Sequence, residues 1–160
     1  MNQPIEKEIG DRLCSMHLMM GTAESCTGGQ IASLITSVAG SSNYFRGGIV
    51  SYCNEVKQNV LGVSPMDLQV YGAVSQSVVE QMAQGAMRVL GCDCAVATSG
   101  VAGPGGGSSA KPVGTVWIAS AYKEKLVSRC FHFGENPRGE NIRLSVEAAL
   151  RMLLDLLESE

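Results

Sequence analysis

The sequence predicts an α/β fold of three layers, with helices on both faces of a central mixed sheet, and three observations predict it. Stretches with helical spacing of apolar residues alternate with short runs of strand composition, and glycine or proline punctuates most of the junctions. Near the carboxyl end, 113–122 and 125–133 follow one another as paired strands, which adds an antiparallel hairpin to an otherwise interleaved pattern. The elements follow in order. Pro4 with Ile5, Ile9, Leu13 and Met16 predicts an amphipathic helix over 4–18, and Met20 to Glu24 reads as a strand. Thr27, Gly28 and Gly29 open a second helix with the stripe Ile31, Leu34, Ile35 and Val38, which Gly40 stops. After a serine-bearing loop, 47–52 has strand composition and leads to Asn54, read as the N-cap of a short helix ending by Gly62; Pro65 marks a loop. Ser75 begins a helix that Gly91 closes, 94–100 is a strand, 100–112 is a glycine-rich loop, and 138–158 is the last helix. Without a repeat or linker, residues 1–160 are expected to form a single domain.

Composition narrows the function. With 45% hydrophobic and 17% charged residues the chain is globular in character, and a net charge of -3 gives it no general attraction for nucleic acid or an anionic membrane. No stretch approaches the ~20 apolar residues of a membrane span. The first thirteen residues carry acidic side chains and no apolar run, so neither a secretion signal nor a transit peptide is expected, and a cytoplasmic location follows. The six cysteines then read as free thiols in a reducing compartment. Cys92 and Cys94 stand one residue apart with no second close pair, so neither a zinc site nor any other metal is expected.

Histidine is the usual general base, but His17 falls in a helix and His132 in a largely apolar strand, which argues against a Ser-His-Asp triad. The polar residues left at element ends are the candidates, because open α/β sheets place their sites there. Lys57 sits in the first turn of the short helix, where the dipole and desolvation both disfavour a second positive charge. Its pKa should therefore fall towards a range in which the neutral amine is a usable base, although Glu55 nearby works against this. Tyr52 supplies a hydroxyl that could relay a proton between Lys57 and a serine. The turn Ser25-Cys26-Thr27-Gly28-Gly29 is a nest of backbone donors suited to a phosphate or an oxyanion, or simply a cap for its helix. Gly103, Gly105, Gly106 and Lys111 have the composition of a phosphate cradle without the P-loop spacing. Cys26 has no histidine to activate it.

Taken together, TAESCTGG (22–29), AGSSNYFRGGIVSYCNEVK (39–57), LGV (61–63), YGAVS (71–75), and SGVAGPGGG with KPVGTVW (99–117) resemble the CinA C-terminal-domain family, the nicotinamide-nucleotide amidases. The resemblance spans nearly the whole chain. It implies a three-layer α/β/α fold, often dimeric or of higher homo-oligomeric order, that deamidates nicotinamide mononucleotide to the nicotinate mononucleotide and ammonia without a cofactor. Its serine, tyrosine and lysine fall on Ser42, Tyr52 and Lys57. Contenders for the substrate's phosphate and oxyanion contacts are Thr22, Glu24, Ser25, Cys26, Thr27, Gly28, Arg46 and the 103–111 loop. Longer members carry an additional N-terminal domain, and nothing is carried over from it. A non-catalytic module that binds a pyridine nucleotide in the same pocket is the alternative; it would have no use for a neutral lysine beside a serine.

Overall fold

The computed structural model describes residues 3–159. Its sheet has five strands, β1 (Met20–Glu24), β2 (Phe45–Val50), β3 (Cys94–Gly100), β4 (Thr115–Tyr122) and β5 (Lys125–His132), in the spatial order β2-β1-β3-β4-β5. β1 runs parallel to both β2 and β3, whereas β4 pairs antiparallel with β3 and β5 with β4, so the sheet is mixed and ends in a hairpin. Six α-helices accompany it: α1 (Ile5–Met16), α2 (Gln30–Thr36), α3 (Asn54–Asn59), α4 (Pro65–Tyr71), α5 (Gln76–Leu90) and α6 (Arg138–Glu158). Among the described residues no helix is long and apolar enough to cross a membrane.

Period-two alternation along the strands splits the core into two layers. Cys94 and Val96 of β3 join Val116 and Ile118 of β4 under α1, α2 and α6, whose Ile9, Leu13, Ile31, Ile35, Leu150 and Leu153 are completely buried. The opposite face of those strands offers the alanines 95, 97, 119 and 121, small enough for α5 to lie close with Val78, Val79 and Met82. Gly85 of α5 extends this tight packing, since a β-carbon there would come within 2.2 Å of the Leu61 carbonyl oxygen.

Two local expectations are corrected. Pro65 begins α4 instead of interrupting a loop: the Ser64 hydroxyl accepts from the Asp67 amide, and proline suits the first helical position, where no intrahelical N–H bond is needed. Asn54 is the first residue of α3; the cap position is held by Cys53, whose side chain makes no capping bond.

The sheet's polarity decides where chemistry can sit. The carboxyl ends of β1, β2 and β3 share one pole with the amino end of β4 and the carboxyl end of β5. That pole therefore gathers the 25–29 turn, the 51–53 segment with α3, the 101–114 loop and the start of α6. The opposite pole collects 17–19, 41–44 and 91–93.

Candidate active site

At the first pole the Lys57 side chain runs inward, leaving only 1% of the residue exposed. Its Nζ donates to the Ser51 carbonyl at 2.8 Å and lies 3.0 Å from Ser25 Oγ. Burial holds the amine below the ordinary lysine range, opposed by the Cys53 and Cys26 thiols; no carboxylate contributes to holding the proton. One N–H serves the Ser51 carbonyl, and in the neutral form the lone pair can accept the Ser25 hydroxyl proton.

Ser25 is held in place by the turn around it. Its amide donates to the Thr98 carbonyl, and its own carbonyl accepts from the amide of Gly28, which takes the left-handed φ of +58° that closes the turn. Glu24, immediately before it, is buried and accepts the Thr27 hydroxyl at 2.5 Å together with the Ile31 and Ala32 amides at 2.9 and 3.0 Å. The carboxylate thus occupies the unsatisfied N–H groups at the start of α2 and fixes the turn against that helix. Thr27 is likewise buried, bonded to Glu24 and to Thr98. Burial pushes the Cys26 thiol up to about 11, so it stays protonated at neutral pH and is no nucleophile.

Ser25 and Cys26 open onto a cavity of about 250 Å³ whose other walls are Tyr52, Arg138, residues 100–102, Gly105 and Gly106. Arg138 straps the cavity together. Its Nη1 donates to the Gly103 carbonyl at 2.9 Å and its Nη2 to the Tyr52 hydroxyl at 3.0 Å, joining α6, the glycine loop and the segment after β2. Asn141, one turn further along α6, donates to the Ala102 and Gly134 carbonyls and holds the loop's base.

The remaining sequence candidates fall elsewhere. Ser42 lies exposed in a single 3-10 turn, Ser41–Asn43, before β2, while Lys57 follows that strand. Five strand steps, roughly 17 Å, separate the strand's two ends, so Ser42 is not the serine brought to Lys57. Arg46, near the same end of β2, donates through Nε to the Leu90 carbonyl at 2.7 Å and completes the end of α5. Thr22 is wholly buried in β1 with its hydroxyl unpaired, covered so closely that a β-carbon on Gly48 would strike it, and cannot meet a ligand. Lys111 donates to the Tyr71 carbonyl at 2.6 Å and pins the loop to the end of α4, outside the cavity lining. Tyr52 reaches the cavity, but its hydroxyl is engaged by Arg138, with no bond to Lys57 or to a serine. Arg138 was not a sequence candidate; the signal available was its place at the start of the helix that follows the hairpin.

Residues 2–157 match the model of the CinA C-terminal domain. The chain belongs to that family. A CinA-like protein of Shewanella sediminis is 48% identical over 149 residues, covering 93% of this chain but 35% of its own length, and one of Chlorobium limicola is 46% identical with similar coverage, 92% and 35%. The chain thus spans about a third of the length of such curated relatives. Among solved structures, the competence/damage-inducible protein CihA of Agrobacterium tumefaciens superposes with a TM-score of 0.90 at 39% identity, over 98% of each chain. A CinA-superfamily protein of Klebsiella pneumoniae gives 0.93 at 31% identity, over 99% of this chain and all of its own. The three-layer α/β/α architecture is therefore the family's own.

Proposed function

We propose that this pole is an amidase site in which Ser25 is the nucleophile and Lys57 the general base, and that its substrate is nicotinamide mononucleotide. The observation that carries the reading is the Ser25–Lys57 contact: a buried amine with no carboxylate to hold its proton, 3.0 Å from a serine hydroxyl beside an open cavity. The reading keeps the lysine that the family resemblance implies and moves the serine from Ser42 to Ser25. Tyr52 remains at the site, in the cavity wall.

In this mechanism Ser25 Oγ attacks the carboxamide carbon as its proton passes to Lys57 Nζ, forming a tetrahedral oxyanion. The amide N–H groups of the turn after Ser25 are the oxyanion donors, an arrangement worth about 2.7–4 kcal/mol for each donor in other enzymes. Lys57 returns the proton to the departing nitrogen, ammonia leaves, and a nicotinoyl-Ser25 ester remains. The neutral amine then takes a proton from water as that water attacks the ester, and returns the proton to the departing Ser25 Oγ as the acid product leaves and ionises. Arg138 supplies the cation for the substrate's phosphate: its guanidinium has five N–H donors and spends two on Gly103 and Tyr52. No step requires a metal or cofactor.

The test is ammonia release by the purified protein from nicotinamide mononucleotide and from free nicotinamide. Turnover of the nucleotide with little of the free base is expected, because phosphate contacts orient the carboxamide for attack. Equal rates would remove the phosphate from the account, and no release from either would remove the amidase.

A further inference from the structure

Tyr52 has no contact through which it could pass a proton, yet it stands in the wall of the cavity that Ser25 opens onto. Resting on the amidase reading, we infer that Tyr52 acts through the face of its ring, selecting a planar cationic ring, the N-ribosylated pyridinium, over a neutral one. Three features carry this. The hydroxyl is fixed by Arg138 Nη2 at 3.0 Å, which anchors the far end of the side chain. The residue is nevertheless 61% exposed, so the ring itself is left uncovered by the protein. And among the described residues Tyr52 is the single aromatic side chain in the lining, whose other members, Arg138 apart, are small or aliphatic, including Gly100, Gly105 and Gly106.

The charge balance makes the ring necessary. Among the described residues Arg138 is the one charged side chain in that lining, and it is a cation. Taken alone it favours an anionic ligand and repels a pyridinium, while Lys57, behind Ser25, contributes no negative charge. The π-face of Tyr52 is the group in the lining that attracts a flat cation, and it does so most effectively where water is displaced. Arg138 then serves two ends: it binds the phosphate and holds the ring that receives the base. Tyr52 is on this account a specificity-determining residue, with no part in proton transfer.

The experiment measures binding, so that it stands apart from turnover. Protein carrying Ser25→Ala, which binds without reacting, is titrated with nicotinamide mononucleotide and with its dihydropyridine form, the same nucleotide with an uncharged ring. The charged ring should bind about 3- to 30-fold tighter. Adding Tyr52→Phe, which keeps the ring but loses its anchor, should keep most of that ratio, adding Tyr52→Leu should bring it close to one, and adding Tyr52→Trp should widen it. Circular dichroism on each variant checks folding, which an exposed side chain should not endanger. A ratio unchanged by Tyr52→Leu, or reduced as much by Tyr52→Phe as by Tyr52→Leu, would overturn the inference. Failure of the protein with Ser25 intact to release ammonia would sink the amidase reading instead, and the binding ratio would still be readable.

Discussion

The two ends of β2 carry similar residue types and do opposite things with them. At its start stand Ser42, exposed in a one-turn 3-10 segment, and Arg46, spent on the last carbonyl of α5. Just beyond its end Lys57 is drawn under the pole, beside Ser25, with its charge disfavoured by burial. A serine and a cation at the first end remain solvated and structural; at the second they share a desolvated hydrogen bond beside a cavity. Residue type and chain spacing are the same kind of information at both ends. What differs is strand direction, because parallel β1, β2 and β3 deliver their carboxyl ends to the same place and their amino ends to the opposite one.

That contrast can be broken by mutation, and the largest expected effect is at Lys57. Lys57→Ala should lower kcat by about 10²–10⁴-fold, and Lys57→Arg should do no better, since arginine keeps the charge and cannot release the proton. In the wild type the rate of ammonia release should rise with pH through an apparent pKa below the ordinary lysine range, because the neutral amine is the active form. Stability follows the same group with a definite sign. The folded pKa is lowered, so between it and the unfolded value the unfolded chain binds more protons and wild-type stability climbs with pH; a Lys57→Met variant, with nothing to titrate there, should lack that climb in thermal melts.

Arg138→Ala should raise KM for the nucleotide about 10- to 100-fold, as loss of a charge-assisted contact to phosphate would, with a smaller change in kcat. A kcat loss with KM unmoved would make Arg138 a strap and not a ligand. Glu24→Gln tests the support beneath Ser25. It replaces one carboxylate oxygen with an N–H donor facing the Thr27 hydroxyl and the first amides of α2, and should cost about 1–3 kcal/mol in denaturant unfolding. The smallest effect belongs to the other end of β2: Arg46→Ala should change stability by about 0.5 kcal/mol or less and leave kcat and KM alone, as for an exposed side chain outside the site.

Much of this architecture was legible in the sequence, because alternation and capping are local. The helical stripes of α1 and α5, the strand β3 and the closing hairpin follow from spacing and punctuation within each segment. Lys57 reads in sequence as a first-turn lysine, but with Cys53 at the cap it falls in the last turn of α3, and its burial comes from packing that the segment alone does not reveal. Its partner was not legible, since Ser25 lies thirty-two positions away and meets it only through the parallel pairing of β1 with β2. In sequence the 22–29 turn reads as a nest of amides, and its serine as a ligand contact and not a nucleophile. Ser42 was favoured by its place in a matched motif close to Tyr52, where linear distance conceals a strand's length of separation. Thr22 and Glu24 belong to the 22–29 motif, yet side-chain direction sends both into the interior, one unpaired and the other onto α2. Pro65 misled because proline is a breaker within a helix and a good first residue of one; Ser64 before it and Asp67 after it were the local sign of the second case.

The central claim is that the serine doing the chemistry is the one at the carboxyl end of β1. Steady-state ammonia release from nicotinamide mononucleotide by Ser25→Ala and Ser42→Ala, each checked for native circular dichroism, tests it most directly. The account predicts that Ser25→Ala loses nearly all activity, matching Lys57→Ala because the two residues act as one unit, while Ser42→Ala retains wild-type kcat. Near-complete loss in Ser42→Ala with substantial turnover in Ser25→Ala would contradict it.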